Sequence, residues 1–136
     1  MKTYFLDTNL FIRYLTNDDP PIADRVEKLL TQATEGKMRL VTAEMVIAEI
    51  VWVLESVYHM NHQGITPLIK AILATPGLEV TNAGLVSRAL DYYNSQPMDF
   101  VDGYIIAMME KMGIEGLYSF DKKHLSTIKG IRRLEP

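Results

Sequence analysis

With 136 residues, 48% of them hydrophobic, the chain has the size of one globular domain, expected to span 1–136, and enough apolar side chains to fill its core. Cysteine is absent, which excludes disulfides, thiolate metal sites and cysteine nucleophiles, so any metal must be held by oxygen or imidazole. A formal charge of −3 disfavours a broad basic surface for nucleic acid, and neither an export signal nor a membrane-length apolar run is visible. The expectation is a soluble, cytoplasmic protein with no membrane association.

In chain order, residues 2–6 (KTYFL) read as a buried strand, and LFIRYLTN has the apolar spacing of a short helix that stops before DDPP. Asp18 or Asp19 can cap a helix that carries Pro20 and Pro21 in its first turn and runs to Gly36, a good stop residue. MRLVT is a short second strand. From Thr42, read as an N-cap, AEMVIAEIVWVLESVYHM makes a long helix that is apolar around most of its circumference. Gly64 to Ala74 is a further helix, LEVT a strand, and Asn82 to about Asn94 another helix. DFVDGYIIAMMEKM forms a helix ended by Gly113, LYSF a strand, DKKHL a helical turn and IRRL a last short strand. This alternation predicts an α/β fold, a three-layer α/β/α sandwich around a mainly parallel sheet of about five strands.

Four acids stand out against that pattern. Asp7 follows the strand YFL and Asp121 follows LYSF, and in open α/β sheets ligands bind at the carboxyl ends of strands. Glu49 and Asp102 fall within apolar helical segments, MVIAEIVWVL and FVDGYIIAMM. Burying unpaired carboxylates costs several kcal/mol or more, so a sequence that does so repeatedly implies a positive group among them. Each acid alone also has a plainer role: Asp7 and Asp121 can cap the helices that follow them, and Asp99 with Asp102 has capping-box spacing. A partly exposed edge of its helix is the plainer role for Glu49. Taken as a set, the four suit a hard divalent ion, Mg²⁺ or Mn²⁺, and the hydrolysis of a phosphodiester by water activated on it. Setting those four aside brings the 17 acids close to the 14 Lys and Arg, so the rest of the surface need not repel a polyanion.

In their order, FLDTNLFIRYL, the Glu of TAEMVIAEIVWVL, DFVDGYIIA and LYSFDKKH resemble the four acidic motifs of the PIN-domain nucleases, across essentially the whole chain. Among these the chain is most similar to VapC-type toxins. The resemblance implies a metal-dependent endoribonuclease, the toxin of a type II toxin–antitoxin pair, with Asp7, Glu49, Asp102 and Asp121 as its metal-binding catalytic acids. Asp99 is similar to an additional acid used by some members, and Thr8, Asn9 and Ser119 stand at site-supporting positions. Gly103, where Ala is more usual, and Ser119, where Thr is frequent, depart from the pattern without removing a ligand. The resemblance also implies an RNA substrate, a homodimer, and a VapB-like antitoxin that covers the acidic site and supplies whatever specific DNA binding the pair has.

Other residues carry weaker signals. Arg13, Lys122, Lys123 and His124 are candidates for contact with substrate phosphate, while His59 and His62 read as structural at a helix end. Trp52 reads as core or interface, Arg132 and Arg133 as a solvated edge, and Met108, Met109 and Met112 as core and packing surface. A haloacid-dehalogenase phosphatase would need an acid two residues after Asp7, where Asn9 stands. The alternatives left open are a non-catalytic partner-binding α/β domain and a DNA-cleaving PIN-type nuclease.

Overall fold

Parallel pairing organises the strands of the computed structural model, which describes residues 1–96, 98–122 and 130–136. The chain divides into two units, Met1–Ser87 and Arg88–Pro136, each taken in turn.

In the first unit, β1 (Thr3–Phe5), β2 (Arg39–Thr42) and β3 (Leu78–Val80) form a parallel sheet in the order β1-β2-β3. Tyr4 lies opposite Leu40, and Val41 opposite Glu79. Parallel neighbours require crossover connections. Helices α1 (Thr8–Thr16) and α2 (Pro20–Thr34) make the first, and α3 (Glu44–Ser56) and α4 (His62–Leu73) the second. The end signals act as their chemistry dictates. Asn17 closes α1 in the left-handed conformation, Asp19 caps α2 by accepting from the Ile22 N–H, and Pro20 and Pro21 fill the first turn where no N–H is needed. Leu40, Ile47, Ile50, Leu54, Ile65 and Ile69 are fully buried and anchor the core of this unit.

In the second unit, α5 (Ala83–Ser95, the greater part of it beyond Ser87) is followed by α6 (Phe100–Met112), β4 (Gly116–Tyr118) and β5 (Arg132–Leu134). β4 and β5 pair in parallel, Leu117 opposite Arg133. Met98, Ile106 and Met109 form a buried cluster against which Ile105, Leu117 and Ile131 pack. Tyr93 meets Phe100 edge to face, with ring centroids 6.3 Å apart.

The parallel α/β order expected from the sequence is the order found. Against the expected sheet of about five strands, the described residues form a three-stranded parallel sheet in the first unit and a two-stranded one in the second. β1 is not a buried strand: it is the edge of its sheet, Tyr4 and Phe5 are exposed, and burial begins only at Leu6. Thr42 does not cap α3. It ends β2, its hydroxyl turned to the Leu6 carbonyl, and Ala43 takes the cap position with no side-chain bond. α3 also stops earlier than its apolar run suggests, because His59 adopts a left-handed φ of 55° and Met60 N–H turns back to the Leu54 carbonyl. Of the turn expected at DKKHL, Asp121 and Lys122 are described, whereas Lys123, His124 and Leu125 lie outside the described residues. Among the described residues no helix is long and apolar enough to cross a membrane.

Candidate active site

Asp7 is placed by the residue before it. The Leu6 N–H donates to the Val41 carbonyl at 2.9 Å, and the Leu6 carbonyl accepts from Thr42 Oγ1, also at 2.9 Å. Leu6 and Thr42 are both buried, so these bonds are shielded from water and fix the chain where it leaves the sheet. One residue on, Asp7 has the extended conformation of an N-cap, and its Oδ1 accepts from the Thr8 N–H at 2.8 Å. The capping role is therefore real, and it aims the carboxylate at the helix N-terminus.

Beside it opens a crevice of about 400 Å³ lined by Asp7, Thr8, Asn9, Arg13, Asp18 and Glu49, with Ile12, Val53 and Tyr58 completing the wall. The first unit thus brings together five residues singled out from the sequence: Asp7, Thr8, Asn9, Arg13 and Glu49. Glu49 itself corrects the sequence reading, since it is exposed. Ile47, Ile50, Val51 and Leu54 turn α3 toward the core, whereas Met45, Glu49 and Trp52, at helical spacing, turn outward. No desolvation cost marks Glu49; its claim rests on sharing a crevice with Asp7. Trp52, 63% exposed, is likewise not core.

Two residues of this crevice escaped sequence reasoning. The Tyr58 hydroxyl donates to Asp18 Oδ2 at 2.9 Å, and Arg13 Nη1 stands 3.6 Å from Asp18 Oδ1. The Tyr58 hydrogen bond is the leading cause that holds the Asp18 carboxyl below its ordinary range, with Arg13 adding to it. Asp18 was legible only as a possible cap, and Asp19 takes that role. Tyr58 lies 40 residues from its partner and carries no local signal at all.

The wall was tested for fit to a divalent cation. It offers the Asp7 and Glu49 carboxylates and the Asn9 amide, with Thr8, 7% exposed, whose Oγ1 has no hydrogen-bond partner among the described residues. These are hard oxygen donors, and Mg²⁺ usually takes one or two carboxylates and keeps several waters, so the donor set fits. Within each unit, among the described residues, no three His, Asp or Glu side chains stand together as a ready-made cage.

The second unit positions the remaining acids. Asp99 occupies the N-cap of α6, but its side chain makes no capping bond; only its carbonyl accepts, from Gly103 N–H at 3.0 Å. Asp102 is half-buried in the first turn. Asp121 follows β4, where its N–H donates to Ser119 Oγ at 3.0 Å; Ser119 in turn donates its N–H to the Leu134 carbonyl and accepts from Arg133 through its own carbonyl at 2.7 Å. Ser119 therefore supports Asp121 directly. Arg133, its side chain only 18% exposed, is a strut of that support and not the solvated edge expected of it. Lys122 is exposed beside Asp121.

With parallel strands, a strand-end acid heading a helix and acids in both units described, comparison with known proteins assigns the class. The chain matches the PIN domain family over residues 4–130, across both units, and it belongs to that family. Among individual proteins it is 24% identical over 118 residues to the VapC ribonuclease of Aquifex aeolicus (strain VF5), covering 87% of each chain. A solved structure, that of the sarcin-ricin loop cleaving toxin VapC20 of Mycobacterium tuberculosis, matches with 21% identity, covering 88% of this chain and 91% of that one at a TM-score of 0.40.

Proposed function

We propose that the protein is a metal-dependent endoribonuclease, the toxin of a VapC-type toxin–antitoxin pair, hydrolysing RNA to 5′-phosphate and 3′-hydroxyl ends without a covalent intermediate. The observation that carries this reading is the crevice that holds Asp7 and Glu49 together at the end of β1 in a PIN-family chain. RNA as substrate is supported by the name of the Aquifex aeolicus relative, a VapC ribonuclease.

Asp7, Glu49, Asp102 and Asp121 are the proposed metal-binding catalytic acids, with Asp99 as an accessory one and Thr8, Asn9 and Ser119 in support. When bound, Mg²⁺ or Mn²⁺ supplies Lewis-acid stabilisation of phosphoryl charge and a water of lowered pKa. This chain's residues contribute placement. Asp7 is fixed by the Leu6 clamp and its own cap, Glu49 lines the same crevice from α3, and Ser119 holds the backbone of Asp121. Placement is the main thing an enzyme adds to phosphoryl chemistry, because misplacement of about 1 Å is enough to cost 100-fold in rate. A VapB-like antitoxin and a second copy of the chain are the proposed protein partners.

The test is cleavage of a mixed pool of structured RNAs by purified protein free of any antitoxin, in Mg²⁺, in Mn²⁺ and in EDTA. Cutting is expected with either ion, and chelation abolishes it. Asp7→Asn is expected to lower the rate by at least about 100-fold while remaining folded. Metal-independent cutting, or an Asp7→Asn protein as active as the parent, would sink the reading. A single-stranded DNA pool run in parallel separates a deoxyribonuclease.

A further inference from the structure

Resting on the nuclease reading, we infer that Arg13 is the residue that receives a backbone phosphate of the RNA at the mouth of the crevice, with Asp18 and Tyr58 as the positioning residues that present it. The wall already carries the carboxylates of Asp7, Asp18 and Glu49, and among the described residues Arg13 is its one cationic side chain. The three carboxylates repel a polyanion approaching that wall, and Arg13 is the side chain of the wall that attracts it. Arg13 lies in the last turn of α1 with its side chain 47% exposed, open to an incoming strand.

The geometry gives the guanidinium a resting partner that it can exchange. At 3.6 Å and half-exposed, the Arg13–Asp18 contact is a long surface ion pair, of a kind worth little in water. A phosphate can therefore take Asp18's place at small cost, and in a fork geometry that suits arginine better than lysine. Asp18 is not stranded by the exchange, because the Tyr58 hydroxyl keeps hold of Oδ2 at 2.9 Å. Tyr58 reaches it from the α3–α4 connection and Asp18 stands between α1 and α2, so the bond ties together two loops that flank the crevice. Holding Asp18 in place keeps Arg13 drawn across the mouth, which reduces the conformational freedom it loses on binding.

The experiment is the RNA-pool cleavage assay in Mg²⁺, with initial rates against pool concentration at several salt concentrations, for wild type, Arg13→Gln, Arg13→Lys, Tyr58→Phe and the Arg13→Gln/Tyr58→Phe double variant. Arg13→Gln is expected to raise KM about 10-fold with kcat held within about twofold, since a lost charge-assisted bond is worth about one factor of ten. The salt dependence of kcat/KM should become shallower by about one phosphate contact. Arg13→Lys should restore the wild-type salt dependence while leaving KM about threefold high, because charge returns but the fork does not. Tyr58→Phe should raise KM about threefold, and add nothing in the Arg13→Gln background, as a residue acting through Arg13 must.

An unchanged KM and salt dependence in Arg13→Gln overturns the inference, as do Arg13 and Tyr58 effects that simply multiply. If Arg13→Gln fails the thermal melt that checks its folding, Arg13→Lys decides, and a wild-type KM there overturns the inference as well. Wild type that cuts RNA beside an unaffected Arg13→Gln removes the phosphate role alone. Wild type that cuts nothing removes the nuclease reading and this one with it.

Discussion

Thr42 shows how a single side chain can reach Asp7 without lining the crevice. Its hydroxyl is fully buried and satisfies the Leu6 carbonyl, and Leu6 is the residue that hands the chain to Asp7. Replacing it by valine keeps the shape and leaves that carbonyl unpaired in the interior, which costs about 1–3 kcal/mol. Thr42→Val is therefore expected to lower the unfolding free energy by that amount, read as a lower urea midpoint at an unchanged m-value. It should also reduce RNA cleavage more than the lost stability explains, since Asp7 loses one of the two bonds that fix the residue before it. A variant with wild-type stability would mean that water satisfies the carbonyl. By contrast, the Arg39–Glu79 pair, 2.7 Å apart across β2 and β3, is exposed at both ends and contributes little.

At the scale of elements, Gly103 explains a departure from the family pattern that the sequence showed but could not interpret. A Cβ at this position of α6 would stand 2.9 Å from the Ala89 carbonyl oxygen and 3.3 Å from Tyr92 Cβ, both on α5. Alanine would gain about 1 kcal/mol of helix propensity over glycine. It would also force two packed helices apart beside Asp102, against a backbone atom that cannot rotate away. The clash is expected to win: Gly103→Ala should lower the thermal midpoint, a result opposite in sign to the propensity scale and readable by circular dichroism. Elements of this kind were legible as types and less so as boundaries. Asp19, Pro20, Pro21 and Gly113 carry their instructions locally, so α2 and the end of α6 fall where the sequence puts them. Thr42, His59 and Glu49 take their roles from residues distant in the chain. Their cap, helix and burial readings fail because a local pattern cannot show that Leu6 lies across from Thr42, or that one face of α3 is left open.

At the scale of the whole molecule, acid pH tests two carboxylates outside the crevice that tie elements together, Glu44 and Glu110. Glu44 accepts from the Thr81 hydroxyl at 2.6 Å and from the Asn82 amide at 3.3 Å, joining the start of α3 to the end of β3. The Thr81 bond is the main cause that holds its carboxyl below the ordinary 4.5. In the second unit burial pushes Glu110 up, but the hydrogen bonds from Arg88 and Tyr92 outweigh it and leave that carboxyl low as well. A carboxyl whose pKa is lower folded than unfolded favours the fold once it is ionised in both states, and that contribution disappears as protons bind the folded form. Both contributions are thus complete above about pH 5 and shrink as pH falls through 4.5 toward the lower folded values. Unfolding free energy from urea melts should be nearly flat from about pH 5 to 7 and fall below that. Thr81→Val should flatten the acid limb, with a loss at neutral pH of no more than about 1 kcal/mol because the pair is exposed, and no loss where Glu44 is protonated. An acid limb as steep in Thr81→Val as in the parent would mean that other carboxylates govern the acid response and that the Glu44 tie contributes nothing measurable to holding α3 against β3.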